Sequence, residues 1–482
     1  MSRRILIENL QFLFTVDAGD HVLRGASLVI DGARIADLGP AAEVAARHDR
    51  SAFDKVIDGS MMGLCPGFID SHVHLSETLS RAVFPDNLNT RAWVFHWAKP
   101  FYAFITEEDE YWGAMLGIHE MLRAGTTCFL DMGSQYDPGI VVRAMEKSGI
   151  RGITGRHAAD NPPAEPPKGW TQEMMDHHFF PDAKTALAEL ERCVRTYNGA
   201  LDGRVRCWVN IEGKEPCTLE LHVGARALAE KLGVGTTYHL ATSIEEAHVC
   251  ESKHGAWPIS RIDKAGGLGS NLVIAHCVAV QDAEIPLMAA KGVKVAFCPS
   301  SSFKLGKGAT SPIGKYPEMV DAGVTVGLGT DGVSAAGNLN LMRQMFMVAG
   351  MFKDARVNPT AFDARRALRA ATIEGAKALQ WDDEIGSIEI GKRADFILFD
   401  LNHIEWTPYY DPLQALVYSA SSATIVQTWV DGVPCFRDGK VIGIDERELK
   451  AKARELAAAA VVRAGLHHDD VATTTTLYDG GN

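Results

Sequence analysis

The sequence predicts an α/β protein: a (β/α)8 TIM-type barrel that carries a small β-sandwich domain built from both termini. Three observations predict it. Apolar strand-like runs alternate with helical patterns eight times through the middle of the chain. Short β-rich segments stand near both ends and share a hairpin signal, Asp31-Gly32 and Asp431-Gly432. Histidines and an aspartate sit where several of the middle runs stop, the place where a barrel gathers polar side chains at one mouth.

Ile5 to Asn9, Leu13 to Val16, Ser27 to Asp31 and Arg34 to Gly39 read as strands, because they alternate or carry β-branched residues. The pattern returns at Ala394 to Asp400, Ile425 to Val430 and Val441-Ile442. Residues 1–60 with 385–445 are therefore expected to form the small domain, and 61–384 the barrel. The barrel strands are the run ending at His72, then Thr127 to Met132, Ile150 to Thr154, Val205 to Val209, Val234 to His239, Leu272 to Ala275, Val293 to Phe297 and Val324 to Leu328. Glu107 to Ala124 reads as a helix. Thr106 is its N-cap, acids fill its first turn, and Gly125 stops it. Asn161 to Lys168 holds four prolines and reads as a rim loop. Residues 446–482 are expected to form a helix followed by a flexible tail.

Composition narrows the classes of function. The chain has 482 residues, 46% hydrophobic and 23% charged, which supports a large core and excludes wholesale disorder and coiled coil. Its net charge is −13, and no Lys/Arg run is long enough to track a phosphate backbone, so nucleic acid is not expected as a partner. No apolar run approaches the roughly 18 residues of a membrane span. Met1 to Leu6 leads straight into a strand, so no signal peptide is expected. The nine cysteines form no C-x-x-C pair, and several lie inside apolar runs. Buried free thiols in the cytoplasm are the expectation.

The chemistry begins at Pro66-Gly67-Phe68-Ile69-Asp70-Ser71-His72-Val73-His74. Residues i and i+2 of a strand share a face, so His72 and His74 project together as half a metal site. His239, His276 and Asp331 each follow another apolar run. A lone histidine there is usually a satisfied core group; this many together are not.

At these residues the chain resembles the amidohydrolase superfamily, in the branch holding guanine, S-adenosylhomocysteine and 8-oxoguanine deaminases and the triazine hydrolases. Further marks are Glu120 to Thr127, Ala275-His276-Cys277-Val278, Lys304-Leu305-Gly306, Gly327 to Gly332 and Ile385 to Asp395. It resembles the atrazine chlorohydrolases in particular, with phenylurea and molinate hydrolases as cousins. The resemblance implies that His72, His74, His239 and Asp331 bind one divalent metal. It places His276 beside the attacking water or the substrate carbonyl as an acid/base or electrostatic group. Three imidazoles and a carboxylate suit Zn²⁺ best, with Fe²⁺ or Co²⁺ also compatible. Asp331 is then also expected to act catalytically, by accepting the water's proton. A homo-oligomer acting on a small molecule is expected.

One departure bears on the reaction. Family deaminases carry a glutamate three residues after the fifth-strand histidine; here the stretch is His239-Leu240-Ala241-Thr242. A hydroxyl cannot shuttle a proton near neutral pH as a carboxylate can. Glu245 and Glu246 follow, but a helix start at Ser243 is expected to point them elsewhere. Phe297 stands where deaminase relatives often have histidine, which makes the pocket less polar. Glu212 and Lys214, beyond the fourth strand, read as loop charges, with a bridging role for a second metal as the alternative. Arg156, His157, Trp93, Thr242 and Phe297 are the candidate substrate contacts; Trp93 belongs to an aromatic loop with Phe95, Trp97 and Phe101. The expected activity is hydrolysis of a C–N or similar bond in a small amide, urea, carbamate or heterocycle. The alternative is deamination or dechlorination of a purine, pterin or triazine.

Overall fold

The computed structural model describes residues 3–166 and 170–466. The expected flexible tail at 467–482 and the last residues of the proline-rich segment lie outside the described residues. Within that segment, residues 161–166 form neither helix nor strand.

Strands from both ends of the chain share one sheet. From the N-terminal side come β1 (Arg4–Phe14), β2 (Val22–Asp31), β3 (Arg34–Pro40), β4 (Lys55–Asp58) and β5 (Met62–Pro66). Two of the expected short strands merge into β1. A register shift between Ile7 and Leu10, with Asn9 in the left-handed region, bends one continuous strand instead of breaking it. Both Asp-Gly signals turn hairpins, pairing Asp31 with Arg34 and Val430 with Val433.

The middle of the chain supplies two parallel sheets. The first runs β6 (Phe68–Val73), β7 (Thr126–Asp131), β8 (Arg151–Thr154), β9 (Val205–Cys207). The second runs β10 (Val209–Gly213), β11 (Thr236–Leu240), β12 (Leu272–His276), β13 (Lys294–Phe297), β14 (Thr325–Leu328). Only Trp208 separates β9 from β10, and its N–H donates to the Thr154 carbonyl (2.9 Å). At the other seam the Asp331 N–H donates to the His72 carbonyl (2.9 Å). Thr330 adds a 2.5 Å hydroxyl and a 3.0 Å backbone bond to the Asp70 carboxylate, which burial pushes up to about 7. Each expected barrel strand is present within a few residues. The fourth runs on to Gly213, so Glu212 is a strand residue and not a loop charge.

The chain then returns to the first sheet with β15 (Phe396–Asp400), β16 (Ile425–Val430), β17 (Val433–Arg437) and β18 (Lys440–Val441). β15 pairs antiparallel with β5, from Phe396 opposite Pro66 to Asp400 opposite Met62. This sheet has its own apolar cluster, in which Ile5, Ile7, Leu28 and Leu64 meet Phe396, Leu398 and Trp429. The helix Glu107–Arg123 starts on a capping box between Thr106 and Asp109. A C-terminal helix, Glu446–Arg463, lays Leu456 and Ala460 against a cluster with Phe84, Trp93 and Phe101. Among the described residues no helix is long and apolar enough to cross a membrane, and all nine cysteines are free and buried.

A buried ion pair ties the parallel layer to the mixed sheet. Arg151 on β8 is fully buried and donates to Asp395 (2.8 Å) and Asp431 (2.5 Å). Removing one partner leaves charge uncompensated in the interior, which costs about 3–5 kcal/mol. Arg151→Met is expected to lower the free energy of unfolding from urea titration by that amount and to leave metal content unchanged in the protein that folds.

Candidate active site

Three strand ends bring the predicted ligands together. His72 lies on β6 and His74 just beyond it. Their Nε2 atoms stand 3.6 and 3.5 Å from Asp331 Oδ1. His239 lies on β11, and its Nδ1 is 2.8 Å from the Glu212 carbonyl. A carbonyl only accepts, so Nδ1 carries the proton and Nε2 presents a lone pair. That lone pair faces His74 Nε2 at 3.1 Å. Gly213, at φ +86°, permits the close approach of β10 to β11 there. A Cβ at this position would lie 2.2 Å from the His239 carbonyl oxygen.

Asp331 sits three residues past β14, and His276 closes β12. Both have positive φ, +64° and +71°. Such backbone strain persists only where surrounding structure over-determines it. Here the Asp331 N–H is held by the His72 carbonyl, and Tyr316 donates its hydroxyl to the His276 carbonyl (2.7 Å). Gly332 follows Asp331 because Glu77 occupies the space a side chain needs, with Oε1 1.0 Å from where a Cβ would stand. His276 Nε2 lies 3.7 Å from Asp331 Oδ2.

The donor set fits a divalent cation. His72 is fully buried, yet neither ring nitrogen has a hydrogen-bond partner, which is costly unless something else satisfies the lone pair. Ligands about 2.0–2.1 Å from a tetrahedral zinc stand roughly 3.3–3.5 Å apart, close to the 3.1–3.6 Å found here among His72, His74, His239 and Asp331. Burial, with neighbouring His72, pulls His74 down to about 3, and burial holds His239 well below the ordinary imidazole range. Burial raises the Asp331 carboxyl, but His276 and His72 outweigh it and hold it well below the ordinary range. His74 and His239 are therefore neutral imidazoles and Asp331 a carboxylate, the protonation states a metal needs.

The expected substrate contacts divide. Trp93, His157 and Thr242 line the cavity above these groups, together with Phe95, Lys99 and Tyr102. His157 Nδ1 accepts from the Gln135 amide (2.8 Å), and its Nε2 has no protein partner. Arg156 does not line this cavity. Its guanidinium bonds the Ser134 and His157 carbonyls (3.0 and 2.6 Å) and lies over the Phe180 ring. Phe297 is also absent from the cavity wall. It is fully buried and stacked on Tyr316, ring centroids 3.7 Å apart, so an apolar wall cannot be credited to it. The expected aromatic loop is helical from Thr90 through Phe104, because its side chains pack as one apolar cluster, and Phe101 in it is core packing.

Sequence reasoning missed several groups. Glu246 does not point away: the turn at Ser243 folds it back, where it accepts from Ala241 N (2.8 Å), Thr242 N (2.8 Å) and Thr242 Oγ1 (2.6 Å). A glutamate at the third position after an N-cap was the available signal. Glu212 lines the cavity, bonded to Lys99 (2.6 Å) and His178 (2.6 Å). Burial raises its carboxyl, but Lys99 and His178 hold it well below the ordinary range. With those bonds in place it is not free to bridge a second metal. Lys307 stands beside His276, and nothing in sequence spacing pairs the two.

Comparisons with known proteins follow the geometry. The amidohydrolase family profile matches residues 64–435. The chain belongs to the amidohydrolase family. It is a hydrolase that acts on carbon–nitrogen bonds. A 5-methylthioadenosine/S-adenosylhomocysteine deaminase of Desulforamulus reducens is 31% identical, over 94% of this chain and 98% of its own length. A 5'-deoxyadenosine deaminase of Methanosarcina mazei is 32% identical, over 95% and 99%. The crystal structure of an adenosine deaminase from Xanthomonas campestris, with bound zinc, superposes with TM-score 0.83 at 27% identity, covering 95% of this chain and 98% of that one.

Two predictions follow from this amidohydrolase's buried histidines. His239→Ala and His72→Ala are each expected to lose the bound metal, read as metal equivalents per chain by mass spectrometry against one for the wild type. Stability is expected to fall in acid. Burial pulls His178 and His222 down to about 4, whereas an imidazole in the unfolded chain protonates near about 6.5. Between those values the unfolded chain binds more protons, so unfolding becomes easier as pH drops through the window. Urea titrations at pH 7 and pH 5 are expected to differ by about 1–2 kcal/mol per such histidine.

Proposed function

We propose that this amidohydrolase uses one divalent metal, held by His72, His74, His239 and Asp331, to hydrolyse the C–N bond of a small amide, urea or carbamate. The observation that carries the reading is Thr242. Where deaminases place a carboxylic acid, this chain has a hydroxyl, and that hydroxyl already donates to Glu246 (2.6 Å). Glu246 accepts three hydrogen bonds there and is occupied as an acceptor. Glu246 thus reaches the cavity wall with both oxygens already engaged by the turn.

When bound, the metal lowers the pKa of water toward about 7 and polarises the bond under attack. The remaining work belongs to the chain. Asp331 accepts the water's proton at Oδ2 and returns it to the departing nitrogen. His276, 3.7 Å from that oxygen, faces the substrate's reacting oxygen. Trp93 and Phe95 cover the substrate from the aromatic segment, and His157 meets its far end with an unpartnered Nε2. A carbonyl carbon is already electrophilic and loses little without a ring-nitrogen donor. An aminated ring loses about 10²–10⁴ in rate, or roughly 3–5 kcal/mol.

The relatives support a second reading, since those at 31–32% identity are named as deaminases of adenosine derivatives. In that case Glu77 is the nearest replacement acid. Burial and Asp331 push it up to about 8, and the Tyr102 hydroxyl donates to it (2.5 Å). The same proposal includes closure of the two parallel sheets into one barrel over 61–384. It also includes a sandwich-like small domain from 1–60 and 385–445, a cytoplasmic location, zinc over iron or cobalt, and a homo-oligomer.

A hydrolysis screen of ureas, carbamates and anilides against aminated heterocycles, read by product mass, tests the choice. Carbonyl substrates are expected to dominate. Ammonia release from an aminated heterocycle at kcat/KM above about 10⁴ M⁻¹s⁻¹ establishes the second reading instead.

A further inference from the structure

Lys307 is a catalytic-cavity group that neither the sequence motifs nor the family roles account for. It is 5% exposed and lines the same cavity as His276 and Asp331. Among the described residues no carboxylate lies within ion-pair distance of its Nζ. Its only hydrogen-bond contact there is His276 Nδ1, at 3.5 Å. Lys99, the other buried lysine of the cavity, is by contrast paired with Glu212. A buried ammonium without a counter-charge is expensive, so its placement calls for a use.

We propose that Lys307 is a positioning residue: it fixes His276 as the Nε2–H tautomer, so that His276 donates a hydrogen bond to the substrate's reacting oxygen and does not act as a base. An ammonium has donors and no acceptor, so the ring nitrogen facing it must be the one that carries a lone pair. A neutral imidazole has one N–H, which then falls on Nε2. Burial lowers Lys307 to about 8, with Asp331 opposing the shift, so the group is an ammonium at neutral pH.

The surroundings hold this arrangement. The Tyr316 hydroxyl pins the His276 carbonyl (2.7 Å), and the positive φ turns the ring toward the cavity mouth, nearly parallel to His239 at 5.5 Å between centroids. The gap of 3.7 Å from Nε2 to Asp331 Oδ2 is too long for a hydrogen bond and leaves Nε2–H for another acceptor. Asp331 then accepts a proton on one side of the reacting centre while His276 donates a hydrogen bond on the other. The inference rests on the carbonyl-hydrolysis reading for its catalytic meaning, but the tautomer itself is independent of the substrate.

The test uses the zinc-loaded protein with ¹⁵N-labelled histidine, the His276 signals being assigned by their loss in His276→Gln. Long-range ¹H–¹⁵N spectra are expected to show a lone-pair nitrogen at Nδ1 and a protonated nitrogen at Nε2. Lys307→Met is expected to release the preference and to lower kcat about 10²-fold, the scale of one lost oxyanion donor, with KM changed less than about threefold. Lys307→Arg, which keeps a cationic donor, is expected to retain the tautomer and most of kcat. A protonated Nδ1 in the wild type overturns the proposal, as does a tautomer unchanged in Lys307→Met. A rise in KM alone also overturns it and makes Lys307 a substrate-binding cation. If Lys307→Met does not fold, the wild-type and Lys307→Arg spectra decide. A wrong substrate class fails the hydrolysis screen and leaves the spectra as expected, so the two failures are distinguishable.

Discussion

Three imidazoles and one carboxylate share a small buried space, and bringing them together is the constraint the rest of the fold serves. The Nε2 atoms of His74 and His239 face each other at 3.1 Å, and His72 has no hydrogen-bond partner at either nitrogen. Without a cation such lone pairs repel, and in a low dielectric the repulsion is poorly screened. The fold must therefore hold them together by other means. It does so by mounting them on or just beyond the ends of β6, β11 and β14, whose backbone ladders fix position far more stiffly than a loop. It also adds cross-ties at the seam, Asp331 N–H to the His72 carbonyl and Thr330 to Asp70. The left-handed backbone at His276 and Asp331 and the obligatory glycine at 332 follow from that demand.

The rest of the molecule serves the enclosure. The aromatic segment would expose a large apolar surface by itself. The C-terminal helix covers its outer side with Leu456 and Ala460, which leaves Trp93 and Phe95 free to face the cavity. Charge inside is balanced locally where it can be. Glu212 is neutralised by Lys99 and hydrogen-bonded by His178, and Arg151 is neutralised by two aspartates across the boundary between sheets. Lys307 is the exception, and the imbalance is directed at His276.

The resemblance leads one to expect a carboxylic acid at position 242, and this chain has a threonine there with a carboxylate close by. Thr242 stands where the acid is expected, and Glu246, one helical turn on, reaches back to hold that threonine and the two backbone N–H groups around it. The change exchanges a mobile proton carrier for a rigid turn.

Local pattern was enough to place the β/α rhythm, the N-cap at Thr106 and both Asp-Gly hairpins, and to mark His72, His74, His239, His276 and Asp331 as polar residues at or just past strand ends. Each of these depends on short-range periodicity or on a residue type at a strand end. Even so, one helix turn misled. Glu246 was expected to point away, because a helix start reads as direction but not as a side chain folding back onto its own N-terminus. What only the tertiary structure decided are pairings across long sequence gaps: Lys307 with His276, Lys99 with Glu212, Arg151 with Asp395. It also decided which face of a strand end meets the cavity. Phe297 and Arg156 follow strands just as His276 and His157 do, yet one stacks into the core and the other turns toward Phe180. Alternation tells which side chains share a face. Only packing against the neighbouring strands and helices settles whether that face is the core or the site.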